Sequence, residues 1–237
     1  MLRTIWCALV ILPATVIMAV LSMTFGVIFP KGRGYQWCAR VWSWIVLWSA
    51  GVKVKVFGIQ NIDDKAEYVF ISNHCSAFDI PVVITSIPNQ IRLMAKKELA
   101  KIPFMGWSLK VGDYILVDRA NRAESMKSID EAVYKLHNGR SVLMFAEGTR
   151  STTGEIREFK KGPFLLAIRA QVPVVPVTLN FTQNIMEKNI IRIKSGVVEI
   201  HIGEPISTTG LSEQDRDLVL QKAHAAVLKS HKLQNKV

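Results

Sequence analysis

Short apolar runs that alternate with amphipathic stretches predict an α/β fold, a mixed, largely parallel twisted sheet flanked by helices. Two observations carry this expectation. From Val52 onward, runs of four to nine residues with strand character recur, and helix-length segments fall between them. Ahead of them, residues 4–30 contain no charged residue at all. The 237-residue chain thus divides into residues 1–50, a two-helix membrane motif, and residues 51–237, the domain that carries the chemistry.

As a helix, residues 4–30 (TIWCALVILPATVIMAVLSMTFGVIFP) reach roughly 40 Å, more than the ~30 Å hydrocarbon core of a bilayer. A signal peptide has a shorter apolar region and a small-residue cleavage site, so a retained membrane helix bent at Pro13 is expected. Residues 41–52 (VWSWIVLWSAGV) give only roughly 18 Å of helix, too short to cross alone. Trp37, Trp42, Trp44 and Trp48 suit the headgroup boundary, where an apolar ring keeps its N–H wet. Two arrangements fit. The first helix spans and the second lies at the interface, or the two form a hairpin dipping into one leaflet. Lys31 and Arg33 after the first helix outnumber Arg3 before it. Either arrangement therefore places the remainder on the cytoplasmic face of the cell (inner) membrane.

Beyond residue 50, VKVKVFGI (52–59) alternates with period two. EYVFIS (67–72), RLMA (92–95), YILV (114–117), SVLMFA (141–146) and PVVPVTLNF (173–181) read as buried strands. IIRIK (190–194) and VVEIHIG (197–203) read as an antiparallel pair joined at Ser195-Gly196. Helices are expected at 80–87, 103–111, 122–137, 163–171 and 212–230. The third ends at Asn138-Gly139, and the last is introduced by Ser212 with Glu213, Asp215 and Asp217 in its first turn.

The net charge is +11 and the hydrophobic fraction 49%, which excludes a disordered chain, a collagen-like chain and a small disulfide-stapled domain. The charge is unevenly placed. Arg3, Lys31, Arg33, Arg40, Lys53 and Lys55 precede the first acidic residue, Asp63, whereas from Asp63 onward there are 24 basic and 19 acidic residues. About half the positive excess thus flanks the apolar segments and suits an anionic lipid surface. A nucleic-acid binder is excluded on the same ground, together with the absence of a recognition motif. Cys7, Cys38 and Cys75 form no CxxC or CxxH pair, so neither a disulfide framework nor a metal site is expected, and the compartment reads as reducing.

Three constellations carry chemistry. Ser72-Asn73-His74-Cys75-Ser76-Ala77-Phe78-Asp79 follows a buried strand, at the sheet edge where α/β proteins place ligands. Five residues on a regular helix would leave His74 and Asp79 some 140° apart (roughly). Pairing them needs a turn, which Ser76 and Pro81 allow. A carboxylate on one imidazole nitrogen fixes the tautomer and leaves the other nitrogen as a general base. The second is Glu147-Gly148-Thr149-Arg150, again directly after a strand. There Gly148 permits a tight turn, Thr149 offers a hydrogen bond and Arg150 a bidentate fork for phosphate. Lys160 and Lys161 follow, ahead of a helix. The third joins Lys96-Lys97 to Arg119, two basic groups at strand ends. No Walker loop, GxGxxG, GxSxG or HExxH occurs.

In this order, Asn73-His74 with Asp79, Lys96 with Arg119, Glu147-Gly148-Thr149-Arg150, and the VPVVPV run at 172–177 resemble the motifs of the glycerolipid acyltransferases over about residues 50–210. The resemblance implies that His74 deprotonates the free sn-2 hydroxyl of lysophosphatidate, oriented by Asp79. The oxygen then attacks a fatty-acyl thioester, acyl-CoA or acyl-ACP, and phosphatidate forms. It further implies that Lys96, Arg119, Glu147, Gly148, Thr149 and Arg150 bind the substrate phosphate, with Val174 and Pro176 in the acyl-acceptor pocket. No cofactor is implied, since base-catalysed acyl transfer needs no metal. One departure stands out, because the family usually has proline where this chain has Ala146. Acylation of another lysophospholipid or a lyso-ornithine lipid, and transacylation from phospholipid, fit the same machinery. A non-catalytic membrane-bound lipid-binding protein fits less well, because His74 and Asp79 are both kept.

Overall fold

The computed structural model describes residues 1–28, 34–118 and 121–232, with the side chains of Val27, Arg122 and Ala123 left aside. Among these residues seven strands form one sheet: β1 (Val52–Phe57), β2 (Val69–Ser72), β3 (Ile91–Lys96), β4 (Ile115–Val117), β5 (Ser141–Phe145), β6 (Val174–Asn180) and β7 (Gly196–Ile202). Their spatial order is β1-β7-β6-β2-β5-β3-β4. The five strands from β6 to β4 run parallel, while β7 is antiparallel to β6 and pairs in parallel with β1. The expected largely parallel α/β sheet is what forms.

Among the described residues eight α-helices accompany it: α1 (Leu2–Ile28), α2 (Gly34–Ala50), α3 (Asp79–Ser86), α4 (Met105–Val111), α5 (Arg122–Leu136), α6 (Gly162–Ala170), α7 (Thr182–Ile185) and α8 (Arg216–Ser230). The expected starts and stops have visible causes. At the end of α5 the Gly139 N–H returns to the Leu136 carbonyl at 3.2 Å with Gly139 at φ 76°, a conformation open to glycine. Before α8 a capping box forms, with Asp215 Oδ2 accepting the Ser212 N–H at 2.8 Å. The sheet separates two apolar layers. Phe70, Val82, Leu143 and Val198 pack on one face together with Val46, Leu47 and Ala50 of α2. Ile71, Val142, Ile129 and Phe164 pack on the other, under α5, α6 and α8.

Two expectations need correction. Residues 190–194 form no strand. The Ile193 N–H bonds Thr4 Oγ1 at 3.1 Å and the Lys194 N–H bonds the Ile185 carbonyl at 2.9 Å. The backbone of this segment is thus satisfied by α1 and α7, and β7 pairs with β1 and β6 instead. The second helix starts at Gly34 rather than near residue 41. Its first turn covers the buried Arg92 of β3, which donates to Gln36 Oε1 at 3.2 Å and lies 5.5 Å from the Tyr35 ring centre.

α1 is the one helix, among the described residues, long and apolar enough to cross a membrane, and little of it is buried. It continues through Pro13. Leu2, Ile5, Leu9, Leu12, Val16 and Val20 form an outward apolar face at helical spacing. The inward face packs on α2 and α4, where Ser22 Oγ lies 2.7 Å from Ser108 Oγ and Trp42 Nε1 donates to Thr15 Oγ1 at 3.0 Å.

Candidate active site

Ser72 ends β2 level with Phe145 of β5 and Val177 of β6. The chain leaving β2 toward His74 and the chain leaving β5 toward Glu147 therefore emerge side by side, at the carboxyl edge of the parallel strands. Asn73 fixes the start of the first loop. Its side chain, fully buried, donates to the Leu179 carbonyl at 2.9 Å and accepts the Leu179 N–H at 2.8 Å. One amide thus substitutes for a sheet partner and holds the loop against β6. Ser76 closes the turn, donating through Oγ to the Met186 carbonyl at 2.7 Å.

With the chain so turned, His74 and Asp79 meet. Nδ1 of His74 lies 2.6 Å from Oδ2 of Asp79. The same oxygen accepts the N–H groups of Cys75 at 2.7 Å and Ser76 at 2.9 Å. Asp79 is completely buried in the first turn of α3, where the helix N-terminus favours negative charge. A carboxylate acceptor requires the proton on Nδ1, which leaves Nε2 with its lone pair. Phe145 stacks on the imidazole with ring centres 3.9 Å apart and planes 11° from parallel, so ring orientation is set by a carboxylate at one edge and an aromatic face beside it.

Cys75 is buried between these groups. Loss of solvation first, then the nearby Asp79 and Glu147 charges, push its thiol up to about 12. At neutral pH it is protonated and a poor nucleophile.

Glu147 turns both carboxylate oxygens to N–H donors. Oε1 accepts the backbone N–H of His74 at 2.9 Å, and Oε2 accepts Arg157 Nε at 3.1 Å. In this fold it braces the His74 loop. The Ser151 N–H, donating to the His74 carbonyl at 2.7 Å, ties the two loops a second time. Gly148 sits at φ 75°, and a side chain there would meet Lys160, whose Cε lies 2.8 Å from an added Cβ. The Lys160 amine therefore lies across the turn, whereas Lys161 is drawn to Asp217 at 2.8 Å. Thr149 accepts from Arg157 through both its carbonyl and its hydroxyl, the latter at 2.9 Å. The backbone carbonyl of Arg150 is held by Lys188 Nζ at 2.8 Å. Among the described residues no carboxylate pairs with the Arg150 guanidinium.

Lys96 ends β3, which lies beyond β5 from β2, about 10 Å across the sheet at ordinary strand spacing. Its ion pair with Glu98 at 3.2 Å is largely exposed and holds it weakly. Arg119 lies outside the described residues. Val174 and Pro176 do not join this group. They are buried in β6, level with Val69 and Ile71, so Val174 is five residues of strand below His74, about 17 Å. Both side chains are buried in the sheet, and it is the far end of β6, at Leu179, that contacts the His74 loop through Asn73. A cavity of about 190 Å³ opens beside Phe145, walled by Met94, Val117 and Met144 and rimmed by Gly148 and Lys160.

Ala146 supplies what proline cannot, since its N–H donates to the Ser72 carbonyl at 3.0 Å and extends the β2–β5 ladder one rung toward His74. Arg157 and the stacking of Phe145 on His74 were not readable from sequence, whereas Lys160 was already placed beside the turn. Only the position of Phe145, directly before Ala146-Glu147, hinted at its role.

The sheet, the carboxyl-edge His-Asp pair and the adjacent Glu-Gly-Thr-Arg turn define an acyltransferase, and the chain belongs to that family, whose model matches residues 53–180. It is similar to the 1-acyl-sn-glycerol-3-phosphate acyltransferase of Borreliella burgdorferi, 35% identical over 73% of this chain and 69% of that one. It is also similar to the Saccharomyces cerevisiae protein of the same name, 33% identical over 75% of this chain and 60% of that one. A solved structure, the 1-acyl-sn-glycerophosphate (LPA) acyltransferase PlsC from Thermotoga maritima, superposes with a TM-score of 0.81 at 26% identity, covering 98% and 97% of the two chains. Against several of the curated relatives the match spans less than two thirds of the relative's length.

Proposed function

We propose that the protein transfers a fatty acyl group from an acyl thioester, acyl-CoA or acyl-ACP, to the sn-2 hydroxyl of lysophosphatidate, yielding phosphatidate. The observation that carries this reading is the His74–Asp79 pair beside the Glu-Gly-Thr-Arg turn, across which the Lys160 amine lies. Nε2 of His74 takes the hydroxyl proton as the oxygen attacks the thioester carbonyl. Asp79 stabilises the imidazolium that results. The tetrahedral intermediate then collapses, the C–S bond breaks, and the departing thiolate recovers the proton from His74. Arg150, with Lys160 and Lys96 on the same sheet edge, binds the phosphate, and Arg119 is proposed to join them. Glu147, Gly148 and Thr149 shape that site rather than neutralise phosphate.

The relatives' names support the acceptor, since each names an acyltransferase acting on 1-acyl-sn-glycerol-3-phosphate. Membrane seating supports it too, because the acceptor is amphiphilic. α1 touches the rest of the chain near both ends, through Thr4 with Ile193 and Ser22 with Ser108. Its outward face therefore meets lipid while the helix stays on the domain, at the cytoplasmic face of the membrane. The test is turnover of lysophosphatidate with palmitoyl-CoA by wild type and His74→Ala. Loss of phosphatidate formation by at least about a hundredfold is expected, and equal rates for the two proteins would overturn the reading.

A further inference from the structure

We propose that Arg157 is a positioning residue that sets His74 through Glu147, an inference that rests on His74 acting as the base. Arg157 lies in the loop after the Glu-Gly-Thr-Arg turn, ten residues from Glu147, outside every motif the sequence offered. Its side chain does two things at once. Nε donates to Glu147 Oε2 at 3.1 Å, and the guanidinium end donates to Thr149 Oγ1 at 2.9 Å and to the Thr149 carbonyl. The Arg157 backbone N–H adds a third hold on Glu147 Oε2 at 3.4 Å. One planar fork therefore joins two points of the turn.

What this fork secures is a carboxylate with no solvent exposure. The Glu147 side chain is fully buried, and Arg157, about half exposed, is its ion-pair partner among the described residues. Such a carboxylate is costly without a counter-charge. Its other oxygen holds the backbone N–H of His74. The chain of contacts thus runs from Arg157 through Glu147 to the peptide that carries the imidazole. The Cys75 thiol, next to His74, feels Asp79 and Glu147 as raising influences and Arg157 as a lowering one, so all three charges act on this one loop.

Among the described residues, the charged and titratable groups of the segments around His74 are these. Asp79 stands at the start of α3 and contacts the imidazole, and Glu147, in the turn after β5, contacts the His74 backbone. Arg150 belongs to that turn, Arg157 and Lys160 to the following loop, Lys188 holds the Arg150 carbonyl, and the Glu147 charge also reaches His231. Cys75 is the chain neighbour and stays neutral. Removing the Arg157 charge leaves two buried carboxylates near the imidazole with less compensation, which favours its protonated, catalytically idle form. It also frees Glu147 to move, and the His74 backbone with it. The consequences are a lower kcat and a kcat/KM profile whose acidic limb moves to higher pH. A residue that merely stabilised the fold would move neither the limb nor its dependence on Glu147.

The experiment uses the full chain in mixed micelles with lysophosphatidate and palmitoyl-CoA. Wild type, Arg157→Met, Arg157→Lys, Glu147→Gln/Arg157→Met and His74→Ala are compared, with thermal melts alongside. For Arg157→Met, kcat should fall by about ten- to a hundredfold with acceptor KM within about twofold. Its acidic limb should rise by roughly half to one pH unit. The double variant should return the limb toward its original place while kcat stays low. Arg157→Lys keeps the charge but not the fork, so its limb should stay in place with an intermediate kcat. Should Arg157→Met lose its cooperative melt, Arg157→Lys decides, and a wild-type kcat in it overturns the proposal. Unchanged kcat and limb in a folded Arg157→Met overturn it as well. So does a raised acceptor KM at unchanged kcat, which would make Arg157 a phosphate ligand. Turnover in His74→Ala equal to wild type would instead remove the base itself, an outcome read independently of Arg157.

Discussion

Oδ2 of Asp79 lies 2.6 Å from Nδ1 of His74 and is shared with the N–H groups of Cys75 and Ser76. A single carboxylate oxygen thereby does two jobs, closing the backbone turn and setting the imidazole tautomer. The other oxygen, Oδ1, is buried without a hydrogen-bond partner among the described residues. All of the carboxylate's compensation converges on the atom that faces His74.

Asp79→Asn separates the two jobs. The amide oxygen still accepts the two backbone N–H groups, so the turn survives, but neutral asparagine cannot stabilise the imidazolium. The expected outcome is a fall in kcat of about 10²- to 10⁴-fold with acceptor KM little changed. Steady-state rates at varied lysophosphatidate check this. An unchanged kcat would show that Asp79 only shapes the loop.

Arg150 follows β5 at the same sheet edge, with no carboxylate partner among the described residues, and is proposed to bind the substrate phosphate. A charge-assisted hydrogen bond to phosphate contributes on the order of 1.5–3 kcal/mol. Arg150→Ala should therefore raise the acceptor KM by roughly ten- to a hundredfold, and the donor KM far less. An acceptor KM equal to that of wild type would take Arg150 out of the phosphate site.

The Cys75 thiol adjoins His74 yet is raised to about 12 by burial and by two carboxylates. Cys75→Ser should keep most activity, and an inactive, folded variant would point to a covalent role instead. A pH effect follows as well. Above about pH 9 the unfolded chain's cysteine ionises while the native thiol stays protonated. The unfolded state then binds fewer protons, and stability falls as pH rises toward 12. Cys75→Ser should weaken that alkaline loss, measured by denaturant unfolding at pH 8 and pH 10.5.

What the sequence disclosed followed local signals. β2, β5 and β6 are apolar runs, and they form where their patterns place them. The His74–Asp79 pairing was legible because Ser76 allowed the turn it needs. What stayed hidden depended on distant partners. The alternation of residues 190–194 imitates a strand, but its backbone is met by Thr4, far away in the chain. The opening of α2 looks polar until Arg92 of β3 covers itself with Gln36 and Tyr35. Arg157 is one more arginine in a polar loop until Glu147 is seen to be buried beneath it. The VPVVPV run reads as a site motif, whereas in the fold Val174 and Pro176 are core.

Two substitutions separate anchoring from folding. Leu9 and Leu12 project from the outward face of α1, each about two-thirds exposed, so Leu9→Glu/Leu12→Glu should leave the fold intact and shift the protein off anionic vesicles in flotation. Deleting residues 1–50 is a different lesion. Val46, Leu47 and Ala50 share one apolar cluster with Phe70 and Val82, and their removal uncovers the core of the sheet. The truncated chain should aggregate rather than float free. A soluble, fully active truncation acting on vesicle-borne lysophosphatidate would show that neither helix is needed.

Ala146 tests the family departure. Its N–H bonds the Ser72 carbonyl at 3.0 Å, and Ser72 is fully buried two residues before His74. Proline in its place fixes φ but has no N–H, so the Ser72 carbonyl loses its donor. An unsatisfied buried acceptor costs about 1–3 kcal/mol, less whatever proline recovers from the unfolded chain. Ala146→Pro should therefore lower the thermal midpoint by a few degrees. Because the lost rung is the last before the His74 loop, kcat should fall with it while acceptor KM holds. A proline variant as stable and as fast as wild type would show that the extra rung contributes nothing to the site, and that alanine and proline are equivalent at this turn.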